Sequence, residues 1–365
     1  MSSAAPKQIY MLGAFPPPVH GMAVVNQRMQ RALAAEGLSV QQMNIAAPSL
    51  QRTPLLRLAR VSRVATCFCR FALALLRCRV ALLYMSVSGG AGQVYEALFA
   101  AAARLFGVPV VLHHHSFAYL DKRSNLTALL CLAAGRSAQH IALCDTMGAR
   151  LAANYPHAAR VIALSNAAFI QCTVGAADAT SSATLTVGFL GNLSFEKGIR
   201  EFEQLVELCA ESGLNTRFLL AGPTQDADAQ AVVDSVLRRH SLVEYLGPLD
   251  DEGKSSFFQR LDLLIFPTRY KNEAEPMTIL ESLANSVPVL ATARGCISRI
   301  VSNPSRHCIA SPDAFAHAGA ALIAEMIADP RLVDRMRAEA RQKFALLKHE
   351  ATLVLDELLE SLKHR

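Results

Sequence analysis

Short runs of β-forming residues alternate with longer helix-patterned segments along nearly the whole chain, and that alternation leaves few folds open. Ile9–Leu12, Val80–Ser86, Val108–Leu112, His140–Cys144 and Val161–Ser165 read as strands, with Met22–Ala35, Leu55–Leu76 and Ala91–Phe106 as helices between them. Such alternation implies βαβ units and a parallel sheet covered on both faces. The pattern fails at Gln171–Thr184, QCTVGAADATSSAT, a small-residue polar stretch that reads as an interdomain linker. It restarts at Leu185–Asn192, followed by a helix from about Lys197 and a strand at Thr216–Ala221. Val243–Leu246, Leu263–Phe266 and Val287–Ala291 are further strand-like runs, and the chain is helical from about Pro330. At 365 residues it is too long for one ordinary core. The expectation is two α/β domains, 1–170 and 185–344, joined by a linker at 171–184. From topology, the last helix, Glu350–Leu362 within 345–365, is expected to cross back to the first domain. Open α/β sheets bind ligands at the carboxyl ends of their strands, so the chemistry is sought in strand-end loops.

Composition narrows the class. Hydrophobic residues make up 52% and charged residues 18%, as in a folding chain. The nine cysteines form no C-x-x-C pair and mostly sit in apolar patterns, so they read as small buried hydrophobes in a reducing compartment. The N-terminal MSSAAPKQIYMLGAF lacks a charged start and an apolar core, so no signal peptide is expected. No apolar run reaches the ~20 residues of a membrane span without an arginine. A cytoplasmic protein is expected, with a peripheral place on the inner face of the plasma membrane left open.

That second option comes from charge. The net charge is +6, yet no acidic residue lies between Glu36 and Glu96. That gap holds Arg52, Arg57, Arg60, Arg63, Arg70, Arg77 and Arg79, interleaved with Leu55, Val61, Val64, Phe68, Phe71 and Leu76. Two readings stay open: a basic amphipathic helix against an anionic membrane surface, or a core helix with solvated arginines. Nucleic acid is not an expected partner, because the segment lacks polar and aromatic readers and matches no recognised module.

The most specific segment is Phe266–Thr292, FPTRYKNEAEPMTILESLANSVPVLAT. A strand ends at Phe266, a loop carries Glu273 and Glu275, and a helix beginning near Met277 contains Glu281. The free N–H groups and positive dipole end of that helix would face a diphosphate. Carboxylates beside a phosphate site are a liability unless they hold hydroxyls, and sugar and ribose hydroxyls are what a carboxylate grips.

With its E-x(7)-E arrangement leading into a small-residue helix and a Pro-Val strand, the chain resembles the retaining, family 4 glycosyltransferases of the GT-B fold. The resemblance implies two Rossmann-like βαβ domains facing a central cleft, with the nucleotide-sugar donor held mainly by the C-terminal one. It implies that Glu281 holds the nucleotide ribose and Glu273 contacts the donor sugar. The backbone of Ala274, Glu275, Pro276 and Met277 would meet sugar and diphosphate, although Ala-Glu-Pro stands where the family usually has Gly-Phe-Gly. GFLGNLSFEKG (Gly188–Gly198) is similar to the family's strand-loop-helix that neutralises the diphosphate. Lys197 matches its Lys, whereas Asn192 occupies the Arg position, with Arg200 and Arg269 as candidate substitutes. LLAGP (Leu219–Pro223) and EYLGPL (Glu244–Leu249) match the next two strand ends. In the first half, FPPPVHGMAVVNQRM (Phe15–Met29) resembles the first strand-to-helix loop, where Gly21 admits the diphosphate. PVVLHHHSF (Pro109–Phe117) matches the strand whose terminal His, here His115, lies near the reacting sugar, and Asn166 matches an Asn before the linker. ATARGCISRIV departs from the family form at Cys296, Ser298 and Arg299.

The implied reaction moves a sugar from a UDP- or GDP-sugar with retention, without a metal or other cofactor. The basic segment points to a lipid-linked saccharide acceptor in cell-surface polysaccharide or exopolysaccharide assembly. Against a metal, His113, His114 and His115 lie on a strand, where neighbours face opposite sides. Asp226–Asp228 follows a Gly-Pro turn and opens a helix, where Asp caps. The rivals are a catalytically weak GT-B-like scaffold subunit and a nucleotide-sugar epimerase. A dinucleotide oxidoreductase is disfavoured, since no G-x-G-x-x-G follows the first strand.

Overall fold

The computed structural model describes residues 7–17, 21–46, 54–171 and 184–364. The stretch read as a linker therefore lies, but for its two ends, outside the described residues, as do Arg52 and Pro18–His20. The chain forms two compact units, Met1–Phe169 with Glu350–Arg365, and Ile170–His349.

The first unit runs β1 (Gln8–Gly13), α1 (Gly21–Ala35), β2 (Val40–Asn44), α2 (Pro54–Leu76), β3 (Val80–Val87), α3 (Gln93–Leu105), β4 (Val110–His114), α4 (Ala118–Asp121), α5 (Asn125–Ala134), β5 (Gln139–Ala142), α6 (Asp145–Asn154) and β6 (Arg160–Ala163). Its six strands pair in parallel in the order β2-β1-β3-β4-β5-β6. Central strands are buried end to end, which is why β3 and β4 read as near-continuous apolar runs. The strand missed in the sequence is β2, VQQMN, whose polar residues suit its place at the sheet edge. Cys144, just beyond β5, is disulfide-bonded, which corrects the reading of every cysteine as a thiol.

The second unit runs β7 (Leu185–Leu190), α7 (Ile199–Glu211), β8 (Thr216–Ala221), α8 (Ala227–Arg239), β9 (Val243–Tyr245), α9 (Asp251–Gln259), β10 (Leu263–Phe266), α10 (Met277–Ala284), β11 (Val289–Thr292), α11 (Ile297–Ile300), α12 (Pro304–His307), β12 (Cys308–Ile309), α13 (Phe315–Ala328) and α14 (Pro330–Lys363). Its sheet is again parallel and six-stranded, ordered β12-β11-β10-β7-β8-β9. The core on one face is aromatic and aliphatic, with Phe202 of α7 packed between Phe189 of β7 and Phe218 of β8. Asp226 caps α8, accepting from the Ala229 N–H at 2.8 Å, so the D-x-D pair is structural. Cys296, before α11, is also disulfide-bonded, a second departure from the all-thiol reading. The last residues of α14, from Glu350 on, belong to the first unit. Two Rossmann-like α/β units are what the alternation of elements called for.

Candidate functional site

The sheet order of the second unit places its ligand crevice. From β7 the chain steps outward through β8 to β9, then returns to the other side of β7 and builds β10, β11 and β12. The loops leaving β7 and β10 therefore diverge at a topological switch point, where an open α/β sheet leaves a crevice at its strand ends. The loop after β7 carries Asn192 and Lys197, and the loop after β10 carries Glu273 through Pro276.

These two loops meet through a charged pair. Lys197 Nζ lies 2.5 Å from Glu273 Oε2 and stands 4.6 Å from the centre of the Tyr270 ring. Glu273 Oε2 also accepts from the Thr268 hydroxyl at 3.4 Å. Glu273 is 8% exposed, so its carboxylate is held where the lysine can pair with it but water has little access. The Lys197 N–H is in turn fixed by Ser194, whose side-chain oxygen accepts at 3.2 Å. Gly198, next to the lysine, has φ +93°, and a Cβ there would stand 2.1 Å from the Pro267 carbonyl oxygen. Only glycine lets the two loops approach this closely.

The second half of the site is the start of α10. Ala274, Glu275, Pro276 and Met277 are all buried, and α10 begins at Met277 behind Pro276. The first N–H groups of a helix have no partner within it, so this end offers donors and a positive dipole to an anion. The loop is pressed into place from behind by Gly295, with φ +56°, where a Cβ would come within 2.6 Å of the Glu273 and Ala274 carbonyl oxygens. Cys296 N–H then donates to Ala274 O at 2.8 Å. One turn along α10, Glu281 is half-buried and 3.5 Å from Lys254 Nζ of α9. Two lysine–carboxylate pairs thus flank the free end of one helix.

Asn192 lies half-buried in the loop after β7. The proposed substitutes for its missing charge are both engaged elsewhere. Arg200 pairs with Glu203 at 2.9 Å, and Arg269 is bound by Glu201 and Asp313. Lys254, which the sequence reading did not single out, is the cation beside Glu281. Tyr270, Thr268, Ser194 and Gly295 were missed as well. Tyr270 and Thr268 lie in the quoted segment, but only the fold reveals that they surround Lys197 and Glu273.

The remaining candidates belong to the first unit. Gly21 is the first residue of α1, and Asn166 is buried in the 3₁₀ turn Asn166–Phe169. His115 follows the end of β4, its ring centroid 4.0 Å from that of His113. His113 bonds the Tyr84 hydroxyl through Nδ1 at 2.6 Å. His114 points the other way, bonding Tyr119 at 2.8 Å and His140 at 3.0 Å. Burial, with like-charged neighbours adding to it, holds His113 and His114 well below the usual imidazole range, and burial lowers His140 to about 4. The three are therefore neutral core histidines. Among the described residues, no group of three or more His, Cys, Asp or Glu side chains could hold a metal ion.

Residues 179–343 match the family model described as glycosyl transferases group 1, a range that takes in every candidate site residue named above in the second unit. No curated protein matches the chain significantly. Among solved structures it is similar to a sucrose-phosphate synthase from Thermosynechococcus elongatus, with a TM-score of 0.72 at 17% identity over 98% of this chain and 99% of that one. It is similar to HepE from Anabaena in complex with UDP, with a TM-score of 0.72 at 16% identity over 98% and 100% of the chains. The apo form of the lipopolysaccharide outer core galactosyltransferase WaaB aligns with a TM-score of 0.65 at 14% identity over 95% and 98%. At such identities the likeness is one of fold. The chain has the GT-B fold, and within it residues 179–343 are similar to the glycosyl transferases group 1 family.

Proposed function

We propose that the protein transfers a sugar, with retention at the anomeric carbon and without a metal, from a UDP- or GDP-sugar to a hydroxyl of a lipid-linked saccharide acceptor. The observation that carries the donor half of this reading is the Lys197–Glu273 pair set beside the free end of α10. A diphosphate entering here meets an ammonium and a helix N-terminus, and takes over from Glu273 as the lysine's partner. Glu273 is then released toward sugar hydroxyls. Glu281 takes the ribose hydroxyls, as a carboxylate can do through two acceptor oxygens. The nucleoside diphosphate is already a good leaving group, so the site needs to fix and stabilise it rather than generate a nucleophile. In a front-face reaction the departing phosphate accepts the acceptor hydroxyl's proton, and Lys197 with the α10 N–H groups stabilises the charge left behind. Gly21 and His115 of the first unit are assigned to the diphosphate and the sugar by the family resemblance. The UDP bound by HepE supports the uridine choice without excluding GDP.

The acceptor and the setting are part of the same proposal: lipid-linked oligosaccharide, cell-surface polysaccharide assembly, and a cytoplasmic protein held peripherally at the inner membrane face. Among the described residues no helix is long and apolar enough to cross a membrane. A catalytically weak GT-B-like scaffold is the second reading, favoured by Asn192 at the position of the usual arginine.

The test is release of nucleoside diphosphate from a panel of UDP- and GDP-sugars, with and without membrane lipid extract. Release from one donor, raised by lipid and reduced about 100-fold or more in Lys197→Met, supports transfer. Glu281→Ala is expected to raise KM for that donor. Silence across the panel, with no thermal shift from any donor, UDP or GDP, would sink the transferase reading in favour of the scaffold.

A further inference from the structure

Right-handed crossovers put helices that join strands stepping in one direction on the same face of a sheet. From β2 through β3 and β4 to β5 the first sheet steps one way, so α2, α3 and α5 share a face. Phe68 and Phe71 of α2 pack against Phe99 of α3, with ring centroids 5.1 and 5.5 Å apart. Arg104 of α3 donates to the Leu132 carbonyl of α5 at 2.9 Å.

The inner side of this layer is ordinary core, with Val64, Phe71 and Leu75 buried. The outer side is apolar where a water-facing surface should be polar. Leu76 is 69% exposed, Leu98 56% and Leu105 83%, and Leu73, Leu129 and Leu132 are exposed with them. Within each helix these leucines recur at intervals of three or seven, so each helix presents one row. Single exposed leucines are normal, but rows on three adjacent helices mark an interaction surface.

Charge selects the occupant. The three helices hold one acidic residue, Glu96. It is 1% exposed, with its carboxylate accepting from the Ser88 N–H at 3.0 Å. No negative charge therefore reaches the outer side of these helices. Arg70, Arg77 and Arg79 are exposed along and beyond α2, and Arg136 just beyond α5. Among the described residues of these three helices every exposed charge is a guanidinium group, while the exposed acids of neighbouring elements, Asp121 and Asp145, stand on α4 and α6. An apolar face so charged complements an anionic lipid surface, with leucines at the acyl boundary and arginines among phosphates. A protein partner would have to meet the same arginines with acids alone.

We propose that the α2–α3–α5 face of the first unit rests on an anionic bilayer. This deepens the peripheral attachment proposed above, names the surface that makes it, and uses none of the donor-site residues.

The experiment is co-sedimentation of the full chain with phosphatidylcholine vesicles, with and without phosphatidylglycerol. Binding to the phosphatidylglycerol vesicles, weakened by salt, is the expected result. Leu98→Ser with Leu105→Ser should lower that affinity at least tenfold. Arg70→Glu with Arg77→Glu should lower it by roughly fivefold or more for each arginine lost. Both pairs of positions are exposed, so circular dichroism and Tm should match those of the parent chain. No binding of the parent chain to anionic vesicles, or undiminished binding by folded variants, overturns the proposal. So does self-association of the parent chain in place of lipid binding, abolished by the leucine substitutions, because the face would then belong to a second copy. Vesicle binding is read without a nucleotide sugar, so failure here is distinct from failure of the transferase reading.

Discussion

Gly198 shows how much of the loop after β7 depends on the absence of one methyl group. Its neighbour Lys197 must reach Glu273, and the backbone achieves this by passing against the Pro267 carbonyl with a positive φ. In Gly198→Ala the added Cβ cannot stay 2.1 Å from that oxygen, so the loop must move or the domain must carry the strain. The expected cost is about 2 kcal/mol or more, read as a lower Tm of the second unit by calorimetry. An unchanged Tm would mean that the loop relaxes freely and that the lysine's position is not fixed by it. Lys197, Glu273 and Glu281 could be picked out along the sequence because the E-x(7)-E spacing and the strand-end glycines are local patterns. Tyr270, Lys254 and Gly295 could not. Their importance comes from which strand lies beside which, and no spacing in the chain encodes that β10 sits against β7.

At the scale of single elements, β4 is the instructive case. Its sequence run was placed at Val108–Leu112, yet the strand is Val110–His114. The apolar run stops at Leu112, whereas the strand continues through His113 and His114, which are core residues satisfied by Tyr84, Tyr119 and His140. The opposite error hid β2, an edge strand too polar to be recognised, and β12, which is only two residues long. The helices were easier, because burial on one side leaves a period that the sequence keeps. The buried histidines have a measurable consequence. A group held neutral in the fold with its pKa at about 4, and titrating near 6.5 when unfolded, takes up protons mainly in the unfolded state. His140 therefore stabilises the fold fully above pH 6.5 and loses that contribution as the pH falls toward 4. His113 and His114 act in the same direction. Glu96 opposes them, since burial first of all raises it to about 7 and the fold then gains on its protonation. Stability should fall on acidification through this window, by about 1.4 kcal/mol per pH unit for each histidine that dominates. His140→Asn should flatten the slope in denaturant titrations at a series of pH values. A parallel decline in variant and parent would assign the acid sensitivity elsewhere.

For the whole molecule the decisive element is α14. Its first part belongs to the second unit and its residues from Glu350 onward to the first. Leu355, Leu358, Leu359 and Leu362 are all buried there, and Lys363 pairs with Glu36 at 2.5 Å. Four buried leucines contribute roughly 1.5–3 kcal/mol each, comparable in sum with the ~5–15 kcal/mol that holds a typical domain together. A chain ending at His349 is therefore expected to lose the cooperative transition of its first unit while the second still melts as before. Calorimetry of the truncated chain would show two unchanged transitions if the helix end were dispensable.

The same helix sets an order of events during synthesis. The first unit needs residues on both sides of the second, so its core cannot close while the ribosome is still adding the 180 residues Ile170–His349. At roughly 5–20 residues per second that wait lasts about 10–40 s. The second unit has all its residues before the first does and can complete its core earlier. For that interval the nascent first unit presents the apolar surface later covered by Leu355, Leu358, Leu359 and Leu362, which makes it the natural client of a ribosome-associated chaperone.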